Sequence, residues 1–473
     1  MRKIVAVAFL PFILNGCTVG PKYARPAIQP PATFYTEQQA STNSVADMAW
    51  WELFKDPVLQ GLVRDALKSN YDLELALSRV EEERALLGVS RSQYYPQVSY
   101  GTSIGGQQSP TIPNHTYYSF SFSTFWEIDL FGRIRKQNEA QRAVYFASEE
   151  ARRDVRILVT SDVAQAYFRL RALDEQLEIA RRTVQSFQET LELFQHKFEG
   201  GAASGLEVAR AQAALSNVAA VIPDFERQIV AQENALDLLL GRNPGPIARG
   251  AALADQYDPP EIPAGLPATL LERRPDLRET EQNLIAANAR VGVAKANFFP
   301  TISLTSLLGG VSPQLSELTA SGKAWSLAGN LAGPLFTGGR LKNEYRASLA
   351  LRDQAKISFE KAVTQAFGEV STSLSAHQQL ALSYREQLKS VEAYRESVRL
   401  AFKRYDSGLS SYFEIVDSQI QLYPAESSSV TYDLGRKLAV VDLYRALGGG
   451  WNLSDSQWTS TSAVPSPAQT PTP

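Results

Sequence analysis

Residues 163–198 read VAQAYFRLRALDEQLEIARRTVQSFQETLELFQHKF. Apolar residues recur there at alternating steps of three and four: Val163, Ala166, Leu170, Leu173, Leu177, Ala180, Val184, Phe187, Leu191, Phe194 and Phe198. The residues between them are mostly Gln, Glu, Arg and Asp. A 3.5-residue repeat keeps one apolar seam turned toward a partner helix, which is the coiled-coil condition. From Gly132 to Ile222 there is no proline, the next being Pro223. Residues 133–197 are therefore predicted as one helix, ~100 Å long at about 1.5 Å per residue. Ordinary globular helices are several times shorter. The same layout returns about 207 residues later, between Pro334 and Pro424.

Working outward, each rod belongs to a duplicated unit. Tyr94-Tyr95-Pro96-Gln97-Val98 matches Phe298-Phe299-Pro300-Thr301-Ile302. Leu130-Phe131-Gly132-Arg133-Ile134 matches Thr337-Gly338-Gly339-Arg340-Leu341. Phe198, Gly201 and Glu207 to Gln212 match Tyr405, Gly408 and Glu414 to Gln419, and Leu239-Leu240-Gly241 answers Ala446-Leu447-Gly448. Each half reads helix, two strands, very long helix, glycine turn, shorter helix. The leading helices are expected over Leu62–Gln93 and Ala268–Asn297, each stopped by an aromatic-aromatic-proline, because proline disfavours helix in the residue before it. The order predicts repeats over 61–247 and 267–453 with a linker at 248–266.

After each leading helix comes a stretch of period two. Ser119-Phe120-Ser121-Phe122-Ser123 alternates with phenylalanine, and Thr301-Ile302-Ser303-Leu304-Thr305 with branched residues. A half-buried soluble strand reads this way. So does a membrane barrel strand, apolar toward lipid and small-polar toward a wet lumen. Tyr117, Tyr118 and Trp126 at the strand ends suit a membrane interface. Gly105 to His115 and Gly309 to Gly322 read as hairpin loops. Only four such strands are present, whereas spanning barrels begin at about eight, and open edges do not exist in lipid. Strands that span a membrane here require several chains to share one barrel.

The mainly helical chain has 473 residues, 44% hydrophobic and 21% charged, enough to bury a core. Net charge is −3, and −5 without Arg2 and Lys3, with no dense basic run, which argues against nucleic acid as a partner. One cysteine, three scattered histidines (His115, His196, His377) and two methionines leave little for a metal site or a disulfide framework. No phosphate-binding glycine loop or His-Glu-x-x-His motif appears, so neither enzyme chemistry nor a cofactor is expected. His377 falls on the second rod's seam, a structural position.

At the N-terminus, Arg2 and Lys3 precede an apolar run, Ile4 to Leu14, and then Asn15-Gly16-Cys17. This is the pattern of an export signal, residues 1–16. Its ending resembles a bacterial lipobox with Cys17 as the lipidated residue, and Thr18 after it suggests the outer membrane. Residues 17–60 are expected as a lipidated tether, with Lys22 to Pro31 extended. The Ser/Thr/Pro tail, residues 454–473, is expected to be disordered.

Taken in order, Trp50-Trp51 with Phe54-Lys55-Asp56-Pro57, then Trp126-Glu127-Ile128-Asp129-Leu130-Phe131-Gly132-Arg133, carry a family resemblance. Arg274-Pro275-Asp276-Leu277, Phe298-Phe299-Pro300 and Leu447-Gly448-Gly449-Gly450-Trp451 complete it. Over residues 17–453 the chain resembles the TolC-type outer membrane efflux channels, in their lipidated OprM-like branch. The resemblance implies a homotrimer in which three chains share a twelve-stranded barrel set in outer membrane lipid, above a hollow α-helical tunnel. It also implies a passive exit duct served by an inner-membrane transporter through a periplasmic adaptor protein docked at the helical tips. In such channels the positions matching Arg404, Tyr405 and Asp417 hold the periplasmic tip closed. Phe413 adds an apolar constriction, and Glu207 and Glu414 are weaker candidates. Arg210 stands where the first half would have an aspartate. A duct for secreted polypeptide or for metal ions, and a soluble periplasmic coiled-coil scaffold, are the competing readings.

Overall fold

The computed structural model describes residues 18–34, 44–109, 112–256, 265, 267–320 and 322–459. Chain order gives α1 (Trp50–Leu53), α2 (Pro57–Ser69), α3 (Tyr71–Ser92), β1 (Gln97–Ser109), β2 (Ile112–Ile128) and α4 (Arg133–Glu199). After α4 come α5 (Gly205–Ala219), α6 (Ile222–Leu239), α7 (Leu270–Arg273), α8 (Pro275–Ala296), β3 (Thr301–Ser312) and β4 (Lys323–Ala332). The chain closes with α9 (Arg340–Asp406), α10 (Tyr412–Ala446) and α11 (Asp455–Thr459). The two rods are as expected: α4 and α9 run 67 residues each.

Two compact units result, and they do not follow the sequence repeats. One takes Met1–Ile28, Ser78–Glu150 and Arg278–Lys361; the other takes Gln29–Leu77, Ala151–Leu277 and Ala362–Pro473. Each repeat contributes to both, because α3, α4, α8 and α9 pass from one unit into the other.

The first unit holds a four-stranded antiparallel sheet in the order β1-β2-β3-β4. The strands are longer than the alternating stretches suggested. Gly105 and Gly106 lie inside β1 and Gly309 inside β3, not in exposed loops. In β1, Gly105 stands opposite Tyr117. Residues 17–34 were expected as a free tether. The described part has no helix or strand, but it is pinned along one face of α8. Tyr23 Oη and Arg25 both donate to Glu281 (2.9 and 2.7 Å), and Asn288 Nδ2 donates to the carbonyl of Pro21 (3.2 Å). Gly20 rests so close that a Cβ on it would stand 2.6 Å from Gly292 Cα. Glu281, Asn288 and Gly292 are spaced seven and four apart, one face of a helix. Cys17 lies outside the described residues.

The second unit carries the core. Residues 45–60, also expected as tether, fold instead: Trp50, Leu53, Phe54 and Leu59 are buried with Tyr167, Leu170, Leu236 and Tyr444. Asp56 organises them. It caps α2 through the Val58 amide (2.8 Å) and accepts from Tyr167 Oη (2.9 Å), Gln256 Nε2 (2.7 Å) and the Ala251 amide (3.1 Å). Burial alone would push its carboxyl up, but the bonds from Gln256, Tyr167 and the backbone hold it below the ordinary range. Leu253 and Gln256 of the expected linker are buried here, so its described part is packed.

Each predicted leading helix is broken once. Asn70 leaves helical geometry and caps α3, its Oδ1 accepting from the Asp72 and Leu73 amides. Arg274 is extended before Pro275 and forks onto Asp276 and Glu369. Pro223 opens α6, whereas Pro424 sits inside α10 and leaves that helix continuous. Along α4 the seam is buried at Val163, Leu170, Ala180, Phe187, Leu191 and Phe194, but Phe198 is 52% exposed, so the packed seam ends one turn early. On α9, His377 is buried, as its seam position requires. The tail is ordered at its start. Asp455 pairs with Arg152 and Arg156 (2.8 Å each), and Trp458 is only 4% exposed. Residues 460–473 lie outside the described residues.

Candidate functional site

Two regions carry chemistry that packing alone does not use. The first is the sheet. Register places Tyr100 opposite Phe122, Phe122 opposite Leu308, and Leu308 opposite Trp325. Continuing the alternation, Val98, Ile104, Phe120, Trp126, Ile302, Leu304, Leu327 and Leu331 share that face. It is bare within one chain: Tyr100 is 76% exposed, Trp325 78% and Leu327 72%. The opposite face is mostly small and polar, with Tyr117, Phe125, Leu307 and Val311 also on it. Ser99 bonds Ser123 (2.8 Å), Ser103 bonds Ser119 (2.6 Å), and Asn330 Nδ2 donates to Thr305 (3.2 Å). The outer edges of β1 and β4 pair with no other strand among the described residues. Among the described residues no helix is long and apolar enough to cross a membrane.

The second region is the pair of tips closing α4 and α9. Both turns need a residue in the left-handed region, and both use glycine: Gly201 at φ +74° and Gly408 at φ +71°. Leu409 N donates to Arg404 O (2.9 Å) across the second turn. Glu207 is committed locally, its carboxylate accepting from the Ser204 amide (2.6 Å) in the capping box of α5. Arg404, Tyr405 and Asp417 were expected to hold the tip closed, with the pairing left open. Within the protomer Arg404 Nε reaches Glu414 Oε2 at 3.3 Å, and its guanidinium the carbonyl of Leu409 at 3.4 Å. Glu414 lies in the first turn of α10, just across the glycine turn, while Asp417 is one turn further along. Both partners are about half exposed, so this pair contributes little by itself.

Asp417 is exposed and makes no hydrogen bond or ion pair among the described residues. With Glu396, Leu400, Arg404, Phe413 and Glu414 it lines an open groove of about 430 Å³. Phe413 is also exposed, and the Arg210 guanidinium lies 5.8 Å from its ring centre, a first-half cation on a second-half ring. Tyr405 is half-buried: its ring lies 5.6 Å from that of buried Phe194, and Lys197 Nζ donates to its hydroxyl at 3.1 Å. Lys197 was not singled out from sequence. The available signal was its place in the duplication, where it is the repeat equivalent of Arg404.

The outer membrane efflux protein family model matches residues 62–242 and 266–449. The toluene efflux pump outer membrane protein TtgC of Pseudomonas putida is 33% identical over 98% of this chain and 99% of its own length. The probable outer membrane lipoprotein SilC of Salmonella typhimurium is 33% identical over 95% and 99%. The crystal structure of the open state of the MtrE outer membrane channel of Neisseria gonorrhoeae superposes with a TM-score of 0.84. It is 31% identical and covers 92% of this chain and 99% of that one.

Proposed function

The chain belongs to the outer membrane efflux protein family, and from that premise we propose that it is the outer membrane exit duct of a tripartite efflux pump. It conducts small molecules passively outward, while an inner-membrane transporter drives them and a periplasmic adaptor joins the two. The observation that carries this reading is the sheet. One face is aromatic and aliphatic, the other is mostly serine, threonine, glycine and alanine, and among the described residues neither outer edge pairs with another strand. An unpaired strand edge in hydrocarbon leaves backbone groups unsatisfied at several kcal/mol each. Three copies of four strands close a twelve-stranded barrel with no edge, the apolar face toward lipid and the polar face toward water.

The reading is tested by native mass spectrometry in detergent and by planar-bilayer recording. A three-copy species that conducts ions is the expected result. A monomer recovered in the aqueous phase without detergent overturns it. Cys17 anchors the chain by its lipid, so intact-mass measurement of membrane-extracted protein gives an acylated N-terminal Cys17; an unmodified thiol there refutes the anchor.

At the periplasmic end, Arg404, Tyr405, Phe413 and Asp417 form the gate. Asp417, without a hydrogen-bond or ion-pair partner among the described residues, is available to a neighbouring copy, and three copies make an acidic ring that favours cations. Arg404→Ala and Asp417→Ala each raise single-channel conductance or opening frequency, and D417A lowers cation preference. Unchanged recordings for both variants would remove these residues from the gate.

A further inference from the structure

One cation at the tip is held by aromatic rings rather than by a carboxylate. Lys197 Nζ lies 4.2 Å from the centre of the Tyr405 ring and 5.9 Å from that of Phe194. Its Nζ also donates to the Tyr405 hydroxyl at 3.1 Å, and among the described residues it pairs with no carboxylate. The rings beneath it form one cluster: the Phe194 centre is 3.7 Å from that of Tyr412 and 5.6 Å from that of Tyr405. Phe194 and Tyr412 are buried, and Lys197 and Tyr405 are partly buried. A cation on a ring face gains more as the site loses water, which separates this contact from the half-exposed Arg404–Glu414 pair.

The cluster joins three elements. Phe194 and Lys197 are in the last two turns of α4, Tyr405 is next to last in α9, and Tyr412 opens α10. The Tyr412 hydroxyl is buried without a hydrogen-bond partner among the described residues, so at that position the ring does the holding.

We propose that Lys197 is a positioning residue of the gate: seated on Tyr405 and Phe194, it holds the α9–α10 hairpin against the end of α4. The latch inside each protomer is then this cation–aromatic contact, and the Arg404 ion pair is secondary. The inference rests on the duct reading above, and it names the contact that must break when the tip opens.

The test is open probability in planar bilayers, with native mass spectrometry confirming assembly of every variant. Lys197→Met and Tyr405→Leu each raise open probability ~5- to 30-fold, the factor that losing a partly desolvated cation–ring contact implies. Lys197→Arg and Tyr405→Phe stay near wild type, since each keeps a cation or a ring, and Tyr412→Phe is silent. The double variant K197M/Y405L opens no further than the stronger single variant, because both remove one contact. A Y405F channel that opens as Y405L does would assign the latch to the hydroxyl and overturn the proposal, as would a K197M channel indistinguishable from wild type.

Salt supplies a check that needs no substitution. Raising it from about 0.1 M to about 1 M shrinks the screening length from about 10 Å to about 3 Å. Wild type opening under that change as far as K197M does would shift the latch to exposed ion pairs. A wild type that gives no channel at all defeats the duct reading, not this one.

Discussion

Asp56→Ala abolishes the folded second unit at physiological temperature, at a cost of roughly 3–6 kcal/mol. The carboxylate is buried and accepts four hydrogen bonds, from the Val58 and Ala251 amides, Tyr167 and Gln256. Removing it strands these donors inside the core, at about 1–3 kcal/mol for each one that finds no water. One of the four, from the Val58 amide, is the cap of α2, a bond worth about 1 kcal/mol. Marginal proteins have little more than this in total. Circular dichroism melting reads the result: an Asp56→Ala protein that melts within a degree or two of wild type defeats the assignment. The same carboxylate gives a pH signature. Its folded pKa lies below its unfolded value, so its contribution is fully present above the unfolded pKa, near 4. As pH falls through the folded value, that contribution is lost. An Asp56→Asn protein therefore shows a flatter acid limb of stability than wild type.

Leu327→Arg blocks membrane insertion while leaving the helical part folded. Leu327 sits in the middle of β4, opposite Ser306, on the bare apolar face shared with Trp325 and Leu331. An arginine facing lipid near the bilayer midplane costs about 2–4 kcal/mol. Threefold symmetry multiplies this to roughly 6–12 kcal/mol per assembly. Ser326→Arg, one residue away, points to the polar face and is tolerated, because successive strand residues face opposite sides. The comparison is made by membrane fractionation. Equal insertion of the two variants would mean that the aromatic face is not the one in lipid.

The rods, the duplication and the alternating strands were legible because each is a short-range periodicity. A 3.5-residue seam from Val163 to Phe194 and a two-residue alternation at Ser119–Ser123 are consequences of helix and strand geometry. The resemblance likewise rested on short motifs that survive intact. The structure gives some of those motifs a plainer role than the gate. Asp56 of Phe-Lys-Asp-Pro and Arg274 of Arg-Pro-Asp hold the core together. The break at Asn70 was missed because it depends on which amides its side chain caps. The break at Arg274, by contrast, follows from the proline beside it and was open to a sequence reading.

Sequence by itself thus determined two long helices, four amphipathic strands too few to close alone, and a tip with a glycine turn and charges at known positions. Tertiary structure decided which charges meet. Arg404 takes Glu414, and Asp417 has no partner among the described residues. Lys197 reaches Tyr405 across 208 residues of chain, and Asp56 gathers partners 111 and 200 residues away. Periodicity is set by neighbours along one element, whereas a partner is chosen by where distant elements come to lie.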